Sequence, residues 1–329
     1  MAKAEGAPTF TINQLAAFVT VAEAGTISAA AAKLHVSPSA LSAAVTELER
    51  SLQTELLRRR KAKGVSLTAA GEAVLPRARF LLHQASELEA DARGEERGVS
   101  GVVRIGCYPS LAPTALPALI SDFTQTHPDA RLEVFESTQD QLSKGLESGE
   151  LDLAIMYDLD LDPAWRSATL AHLPPRAVLP AGHRLAEGAG PIDLAHLEKE
   201  PMILLDAPPS SAHAFACCAR AGFAPQVAYR ARTYETARSF VGRGLGWTLL
   251  LQRPSANVTY EGRPVVVKDI ATPVLPAVAV DVVWHPESLL SKASRTFITH
   301  AVRMARVGAL GLPRKTWGST PESSAFPVT

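Results

Sequence analysis

The N-terminal segment has apolar residues at helical spacing, separated by short polar turns. The first periodic set consists of Leu15, Phe18, Val19 and Ala22. This spacing predicts an amphipathic helix, which begins at a T-x-x-Q capping box formed by Thr11 and Gln14 and ends at Gly25. Ser28 is the expected N-cap of a second, short helix with the sequence "SAAAAKLH".

The stretch "VSPSALSAAVTELER", residues 36–50, predicts a third helix with one apolar face. Ser37 suits the N-cap, and Pro38 suits the first helical position. The apolar face consists of Leu41, Val45 and Leu48, and the opposite face consists of Pro38, Ser39, Ser42, Ala43 and Thr46. Three short helices with a compact turn between the second and the third predict a helix-turn-helix.

A basic run follows the third helix, within the segment "ELLRRRKAKGVSLT". Its basic residues are Arg58, Arg59, Arg60, Lys61 and Lys63. Gly64 interrupts the run, and the residues after it alternate between apolar and polar. This pattern predicts a small β-hairpin with a positively charged tip, so residues 10–68 are expected to form a winged helix-turn-helix.

Residues 69–98 predict one long helix that mediates dimerisation. Thr68 is its expected N-cap, and the helix is expected to run to about Arg97. Apolar residues recur at alternating spacings of four and three, at Val74, Ala78, Leu81, Ala85, Leu88 and Ala92. Such a heptad seam is typical of a helix that pairs with a second copy, and packing on its own domain is the alternative. Pro76 predicts a bend or a later helix start.

From Val102 onward, short buried strands alternate with helices, which is typical of a parallel α/β fold. Two units are expected within an α/β domain at 101–310. They are lobe I, at about 101–171 and 273–308, and lobe II, at about 172–272. The stretch "AVAVDVVWH" predicts a strand that returns to lobe I, and residues 287–307 predict a closing amphipathic helix. The tail at 311–329 is rich in Gly, Pro and Ser, so we expect it to be disordered.

Charge is unevenly distributed along this chain of 329 residues, although its formal net charge is zero. Residues 1–68 hold eight Lys and Arg against five Asp and Glu. A basic patch confined to one domain suits a nucleic-acid partner. No apolar run approaches the roughly 18 residues that span a bilayer, and the N-terminus lacks a signal-peptide core. We therefore expect a cytoplasmic protein without a membrane partner.

The sequence carries no motif of a familiar enzyme class. It has no G-x-S-x-G, no H-E-x-x-H and no P-loop, and "GLG" at 244–246 precedes a strand rather than following one. The nine histidines are scattered, and the three cysteines, Cys107, Cys217 and Cys218, lack the spacing of a metal site or a disulfide framework. We therefore expect no enzyme activity, no cofactor, no metal and three free thiols.

Several stretches, in the same order, resemble the LysR-type transcriptional regulators. They include "LAAFVTVAEAGTISAAAAKLHVSPSALSAAVTELE", "GVSLTAAGEAVL" and "ARSFVGRGLGWTLL", and the resemblance extends from about Phe10 to Val307. It implies an α/β protein with an N-terminal winged helix-turn-helix, a long linker helix, and a two-lobed effector domain like that of periplasmic binding proteins. The partners that it implies are double-stranded DNA, a small-molecule effector, RNA polymerase, and further copies of the chain in a homodimer or homotetramer.

The third helix is expected to enter the major groove with its N-terminal residues. The family usually has a glutamine and an arginine where this sequence has Pro38 and Ala43, so fewer side chains can make bidentate base contacts. Specificity should then depend on small hydroxyls, phosphate contacts and DNA shape. The predicted DNA-binding residues are Ser37, Pro38, Ser39, Ser42, Ala43, Arg60, Lys61 and Lys63.

The cleft between the lobes is the expected effector site. Ser110 and Thr138 each follow a strand and open a helix, where a hydroxyl and free N–H groups suit an organic anion such as a carboxylate. The resemblance adds Pro209, Ser210 and Thr233 from lobe II. For each hydroxyl, a plain helix cap without a ligand is the alternative. Weaker candidates are Cys107, Tyr108, Tyr157 and Arg238.

Two other functions remain as alternatives. Some regulators of the resembled family respond through cysteines, so Cys217 and Cys218 suggest a redox sensor, whereas their helical context favours a packed face. A cytosolic small-molecule-binding protein without a DNA role is the other alternative. It leaves residues 10–68 unexplained.

Overall fold

The computed structural model describes residues 8–60, 64–92, 98–252, 256–288 and 290–312. The N-terminal domain consists of three short helices and a two-stranded hairpin, and a long helix follows it. These elements are α1 (Ile12–Ala24), α2 (Ile27–Leu34), α3 (Pro38–Leu52), β1 (Leu57–Arg60), β2 (Gly64–Leu67) and α4 (Ala69–Ala92). The predicted helix-turn-helix and wing are therefore confirmed. Residues 93–97, to which we expected α4 to extend, lie outside the described residues.

Helix α2 begins two residues earlier than expected. Its N-cap is Thr26 rather than Ser28. The backbone of Thr26 is extended, and its side-chain oxygen accepts a hydrogen bond from the Ala29 N–H at 3.2 Å. The earlier start brings Ile27 into the helix, where it packs against the apolar core of the domain.

The first turn of α4 lies tightly against the start of β1. A Cβ atom at Gly71 would be only 2.1 Å from the carbonyl oxygen of Leu56. The hydroxyl of Thr68 accepts the Gly71 N–H at 2.9 Å and donates to the Glu55 carbonyl at 2.6 Å. The apolar core at this junction includes Leu15, Phe18, Leu48, Leu56, Leu75 and Ala78. Glycine is therefore required at position 71 by close packing rather than by an unusual backbone angle.

The C-terminal part of the chain is an α/β structure. Its strands are β3 (Gly101–Cys107), β4 (Ala130–Glu136), β5 (Leu153–Tyr157), β6 (Arg166–Leu173), β7 (Arg176–Pro180), β8 (Ile192–Asp193), β9 (Pro201–Leu205), β10 (Gln226–Ala231), β11 (Thr248–Leu250), β12 (Val265–Thr272) and β13 (Val278–Trp284). Its helices are α5 (Ala112–Thr126), α6 (Gln139–Glu147), α7 (Ser210–Arg220), α8 (Tyr234–Gly242) and α9 (Lys292–Val307). The predicted α/β fold is confirmed, and the closing helix begins at Lys292 rather than at residue 287.

Lobe I is built on a five-stranded sheet in the order β4-β3-β5-β13-β6. Strands β3, β4 and β5 are parallel, whereas β13 is antiparallel to both β5 and β6. Every residue of β13 is buried, because the strand is paired on both sides in the middle of the sheet. The predicted return of this strand to lobe I is thereby confirmed.

Lobe II contains a four-stranded sheet, in the order β11-β7-β12-β8, and a parallel pair formed by β9 and β10. Backbone hydrogen bonds of Trp247 connect the two, because its N–H donates to the Pro201 carbonyl and its carbonyl accepts the Ile203 N–H. The Trp247 side chain is 1 % exposed in the core of this lobe. Trp247 therefore joins the two strand groups of lobe II.

Two short connections join the lobes. One leads from β6 to β7 and contains Pro174 and Pro175, and the other leads from β12 to β13 and contains Pro273 and Pro276. Strands β6 and β13 are neighbours in lobe I, and β7 and β12 are neighbours in lobe II, so the two connections lie side by side. The sequence pattern did not predict β6 or β12.

The start of the C-terminal tail is ordered, which corrects the expectation of disorder from residue 311. Leu310 and Leu312 are buried in the core of lobe I, and the Gly311 N–H donates to the Thr114 carbonyl at 3.2 Å. Burial of the apolar side chains on either side of Gly311 stabilises this segment, although the composition around it favours flexibility. Residues 313–329 lie outside the described part of the chain.

Candidate functional sites

Helix α3 presents a face of small, exposed residues. Ser37, Pro38, Ser39 and Ala43 are all exposed, whereas Ser42 is half-buried. Ser37 caps the helix by accepting the Ala40 N–H at 3.2 Å, as its sequence position predicts. The predicted apolar residues, Leu41, Val45 and Leu48, are buried in the domain core. The helix is therefore held by one face and leaves its small-residue face open.

The wing is fixed to α3 by a carboxylate that the sequence analysis did not single out. The Oε1 atom of Glu49 accepts the N–H groups of Leu56 and Leu57 at 2.9 and 3.0 Å. Strands β1 and β2 pair from Leu57 and Leu67 as far as Arg60 and Gly64. Lys61 and Lys63 lie outside the described residues. Glu49 thus sets the position of the hairpin relative to the helix.

The predicted dimer seam on α4 has a first part that is buried and a later part that is exposed. Ala78 is buried and Val74 half-buried in the core of the N-terminal domain, as the alternative of packing on the same domain expects. Farther along, Leu81 is 40 % and Leu88 is 69 % exposed, and Ala85 is half-buried. The later part of the seam is thus the part open to another copy of the chain.

A polar cavity lies between the two lobes. Its polar side chains are Ser110, Tyr157, Ser210, His213, Tyr234 and Gln252. Its free volume is about 20 Å³, which is room for about one water molecule. The arrangement brings together the predicted Ser110 and Ser210 at the starts of α5 and α7.

Hydrogen bonds connect the lobes around this cavity. The Tyr108 hydroxyl donates to the Ala207 carbonyl at 3.1 Å and lies 3.2 Å from the Ser210 hydroxyl. The Tyr157 hydroxyl lies 2.9 Å from the Ser110 hydroxyl and accepts from the Gln252 amide at 3.3 Å. Tyrosines of lobe I therefore bind polar groups of lobe II directly.

Burial favours the neutral forms of the ionisable groups of the cavity. Burial raises the pKa of Tyr157 to about 12, and the hydrogen bonds from Ser110 and Gln252 offset only part of this rise. Burial lowers the pKa of His213, because desolvation disfavours the imidazolium. The hydroxyl and imidazole groups can therefore act as hydrogen-bond partners without a formal charge.

The other predicted effector residues lie outside the lining of this cavity. Thr138 precedes α6 and makes no capping bond, whereas Thr233 caps α8 by accepting the Thr236 N–H at 3.3 Å. Pro209 is buried at the start of α7. Arg238 forms an ion pair with Glu235 at 2.7 Å, so its role is structural.

The sequence analysis missed His213, Tyr234 and Gln252 as cavity residues. His213 lies one helical turn after Ser210, and Tyr234 directly follows the cap at Thr233. Gln252 follows the buried strand β11, in the way that Ser110 follows β3. A polar residue just beyond a buried strand was the available signal for Gln252.

The cysteines are buried and poorly ionised. Burial raises the pKa of Cys217 to about 11 and that of Cys218 to about 12, and it also raises the pKa of Cys107. The sulfur of Cys217 lies 3.7 Å from Nε2 of His213. All three are free thiols, as expected.

The described residues contain neither a metal-binding cluster nor a membrane-spanning helix. No group of three or more His, Cys, Asp or Glu side chains there is arranged to hold a metal ion. None of the helices in that part of the chain is both long and apolar enough to cross a membrane.

Comparisons with known proteins give the same family for both parts of the chain. The helix-turn-helix model of bacterial regulatory proteins of the lysR family matches residues 12–72, and the LysR substrate binding domain matches residues 96–306. A probable hydrogen peroxide-inducible genes activator of Mycobacterium leprae (strain TN) is 34% identical over 253 residues, which cover 74% of this chain and 78% of that protein.

Solved structures agree with these matches. The C-terminal domain of a probable LysR family transcriptional regulator from Rhodococcus sp. RHA1 is 56% identical, with a TM-score of 0.61, and covers 62% of this chain and 99% of that one. HinK, a LysR family regulator from Pseudomonas aeruginosa, is 34% identical, with a TM-score of 0.60, and covers 90% of this chain and 99% of that one. The chain therefore belongs to the LysR family of transcriptional regulators, with an N-terminal DNA-binding domain and a two-lobed effector-binding domain.

Proposed function

We propose that this regulator binds duplex DNA through the small-residue face of α3 together with the basic wing, and that a small molecule in the interlobe cavity switches it. The switching part of the proposal rests on two hydrogen bonds between the lobes, one donated by Tyr108 to the Ala207 carbonyl and one donated by Gln252 to the Tyr157 hydroxyl. A ligand that replaces these bonds changes how the lobes are held together, so it has differential affinity for two arrangements.

The DNA-binding residues of the proposal are those predicted from the sequence. Ser37, Ser39 and Ser42 supply hydroxyls, Ala43 supplies a small apolar contact, and Pro38 keeps the helix start free of bulky groups. Arg60, Lys61 and Lys63 supply phosphate contacts or a minor-groove contact. The regulator acts in the cytoplasm as a dimer or tetramer, in which paired DNA-binding domains contact two sites and effector binding alters recruitment of RNA polymerase.

Replacing Ser110 by valine is expected to remove the effector response and to leave DNA binding within about twofold of wild type. Valine removes the hydrogen bond to Tyr157, and its extra bulk fills a cavity of about 20 Å³. The measurement is a thermal-shift screen of small carboxylates and aromatic compounds, followed by titration of each stabilising compound into the variant. DNA affinity is measured in parallel by fluorescence anisotropy.

Ser121→Val is the matched control, because Ser121 is exposed on α5, the helix that directly follows Ser110. It should respond to the same compounds as the wild-type chain. If the Ser110→Val protein keeps the full thermal shift, this cavity is excluded as the effector site. Loss of DNA binding in Ser110→Val alone would instead show a folding defect.

A thiol-based redox response is the second candidate function, because the Mycobacterium leprae relative is named as a probable activator of hydrogen peroxide-inducible genes. The buried thiols argue against it. Burial raises the pKa of Cys217 to about 11, so the thiol form predominates over the reactive thiolate at pH 7.

We expect the double variant Cys217→Ser, Cys218→Ser to keep any effector response of the wild-type chain, because the reactive thiolate is scarce. The measurement is DNA binding with and without the effector, and with and without hydrogen peroxide. A peroxide response that is present in wild type and absent from the double variant would establish the redox function instead.

A further inference from the structure

A single arginine on α4 contacts both the N-terminal domain and lobe I. Arg79 reaches Glu23 Oε1 with Nε and Nη2, each at 3.3 Å, and donates from Nη1 to the Ser148 carbonyl at 3.0 Å. Glu23 belongs to α1, and Ser148 is the C-cap of α6. The Arg79 side chain is only 13 % exposed, although it is charged. Three elements from the two domains therefore meet at one guanidinium.

The electrostatics of this contact depend on Arg79. Glu23 lies in the last turn of α1, where the helix dipole already presents its negative end. Ser148 lies at the end of α6, so its carbonyl carries the negative end of a second helix dipole. Arg79 lies between these two negative groups and attracts both. Without it, the carboxylate and the second helix end would repel each other across the domain boundary.

Close backbone packing supports the same contact from the side of lobe I. Gly149 has a φ of +66°, and a Cβ atom there would be 3.1 Å from Cα of Pro76. The proline that interrupts the heptad pattern of α4 thus lies against lobe I. Next to the contact, a cleft with about 250 Å³ of free space is lined by groups of both domains, including Glu23, Arg104 and Glu133. The contact is therefore narrow, with open space in which lobe I can pivot.

We propose that Arg79 is the positioning residue that couples the DNA-binding domain to lobe I, through its simultaneous contacts with Glu23 and the Ser148 carbonyl. The inference rests on the proposed function, since it concerns how the effector-binding domain and the DNA-binding domain act on each other. Coupling of this kind is reciprocal, so DNA binding must also alter lobe I. This reciprocity permits a test that needs no effector.

The test measures amide hydrogen exchange of the full chain with and without a random-sequence DNA duplex at low ionic strength, where phosphate contacts alone support binding. In the wild-type chain, duplex binding is expected to change exchange at residues 148–151 by about fivefold or more. In Arg79→Ala this change should disappear, while the duplex still binds. Arg77→Ala is the matched control, because Arg77 is exposed on the same helix, and it should behave as wild type.

Two further variants separate coupling from a general folding defect. Gly149→Ala disturbs the contact from lobe I without altering Arg79, and it should reproduce the loss of coupling. Adding Glu23→Gln to Arg79→Ala removes the repelling carboxylate, so it should relieve any loss of stability, while the exchange response stays absent because the guanidinium contacts are gone. The proposal is overturned if Arg79→Ala responds like wild type, or if the wild-type chain binds the duplex without any change at 148–151. Absence of duplex binding by wild type would instead reject the proposed DNA role.

Discussion

Replacement of Arg60, Lys61 and Lys63 by alanine together is expected to weaken binding to duplex DNA by about 100-fold near physiological salt, for every sequence tested. Each cation lost means that one counterion fewer is released on binding. The slope of log affinity against log salt concentration should therefore become less steep by roughly two to three for each wing. Strands β1 and β2 pair as far as Arg60 and Gly64, so the first three basic residues of the run lie on the paired part of β1. The measurement is a salt titration by fluorescence anisotropy.

The matched control removes the same charge from the effector-binding domain. The three residues replaced are Arg131, Lys144 and Lys199, each of which is exposed. Their joint replacement by alanine should leave the salt slope unchanged, because charges outside the DNA interface release no counterions. An unchanged slope in the wing variant would exclude the wing from the interface. A single Ser42→Ala change should instead alter the preference at particular base positions, if it has an effect.

Gly71→Ala is expected to destabilise the N-terminal domain by about 3 kcal/mol, which is a large fraction of the stability of a small domain. In an open helix, the same change would stabilise by up to about 1 kcal/mol. Here the added methyl group would be 2.1 Å from the Leu56 carbonyl oxygen, so the first turn of α4 must move away from β1. The steric cost therefore outweighs the helix propensity.

The tryptophan positions allow this effect to be assigned to one domain. All four tryptophans lie beyond residue 98, at Trp165, Trp247, Trp284 and Trp317. In Gly71→Ala, the unfolding transition monitored by tryptophan fluorescence should therefore be nearly unchanged. The loss of helix monitored by circular dichroism should occur at a lower denaturant concentration, and DNA binding should weaken. Gly182→Ala is the control, since nothing lies within 4 Å of its Cβ position. Equal stability of the Gly71→Ala and wild-type N-terminal domains would contradict the packing argument.

Local rules predicted the elements whose signals lie within a few residues. Helix α3 begins at Pro38 after the Ser37 cap, because capping depends on adjacent backbone groups. The start of α2 was wrong by two residues, since two hydroxyls were available and the burial of Ile27 favoured the earlier one. Local signals therefore identify helices well and decide poorly between neighbouring caps.

Strands β6 and β12 escaped prediction because their partners are distant in sequence. Strand β6 mixes exposed polar and buried apolar residues at the edge of the lobe I sheet. Strand β12 contains Lys268, which is buried and donates to backbone carbonyls at Glu187 and Gly188. Their strand character arises from pairing with β13 and β7 rather than from their own pattern.

The cavity residues also differ in whether their signal is local in the sequence or depends on distant partners. Ser110 could be predicted, because a strand end followed by a helix start is visible in the sequence, whereas Ser210 was predicted from the family resemblance. The contribution of Gln252 depends on how lobe II meets Tyr157 of lobe I, and the two residues are far apart in the chain. Thr233, which shares the same local signal, caps its own helix instead. Sequence position alone does not distinguish a cap from a cavity residue.

The prolines in the two connections between the lobes have a mechanical consequence. Four of the seven residues at 174–175 and 273–277 are proline, so four φ angles of the crossing segments are fixed. A rotation of one lobe must then be absorbed by the ψ angles and by the φ angles of the three other residues in two adjacent segments. Because the two connections lie side by side, we expect them to act as one hinge between the lobes. Different ligands in the interlobe cavity should then move the lobes along the same direction.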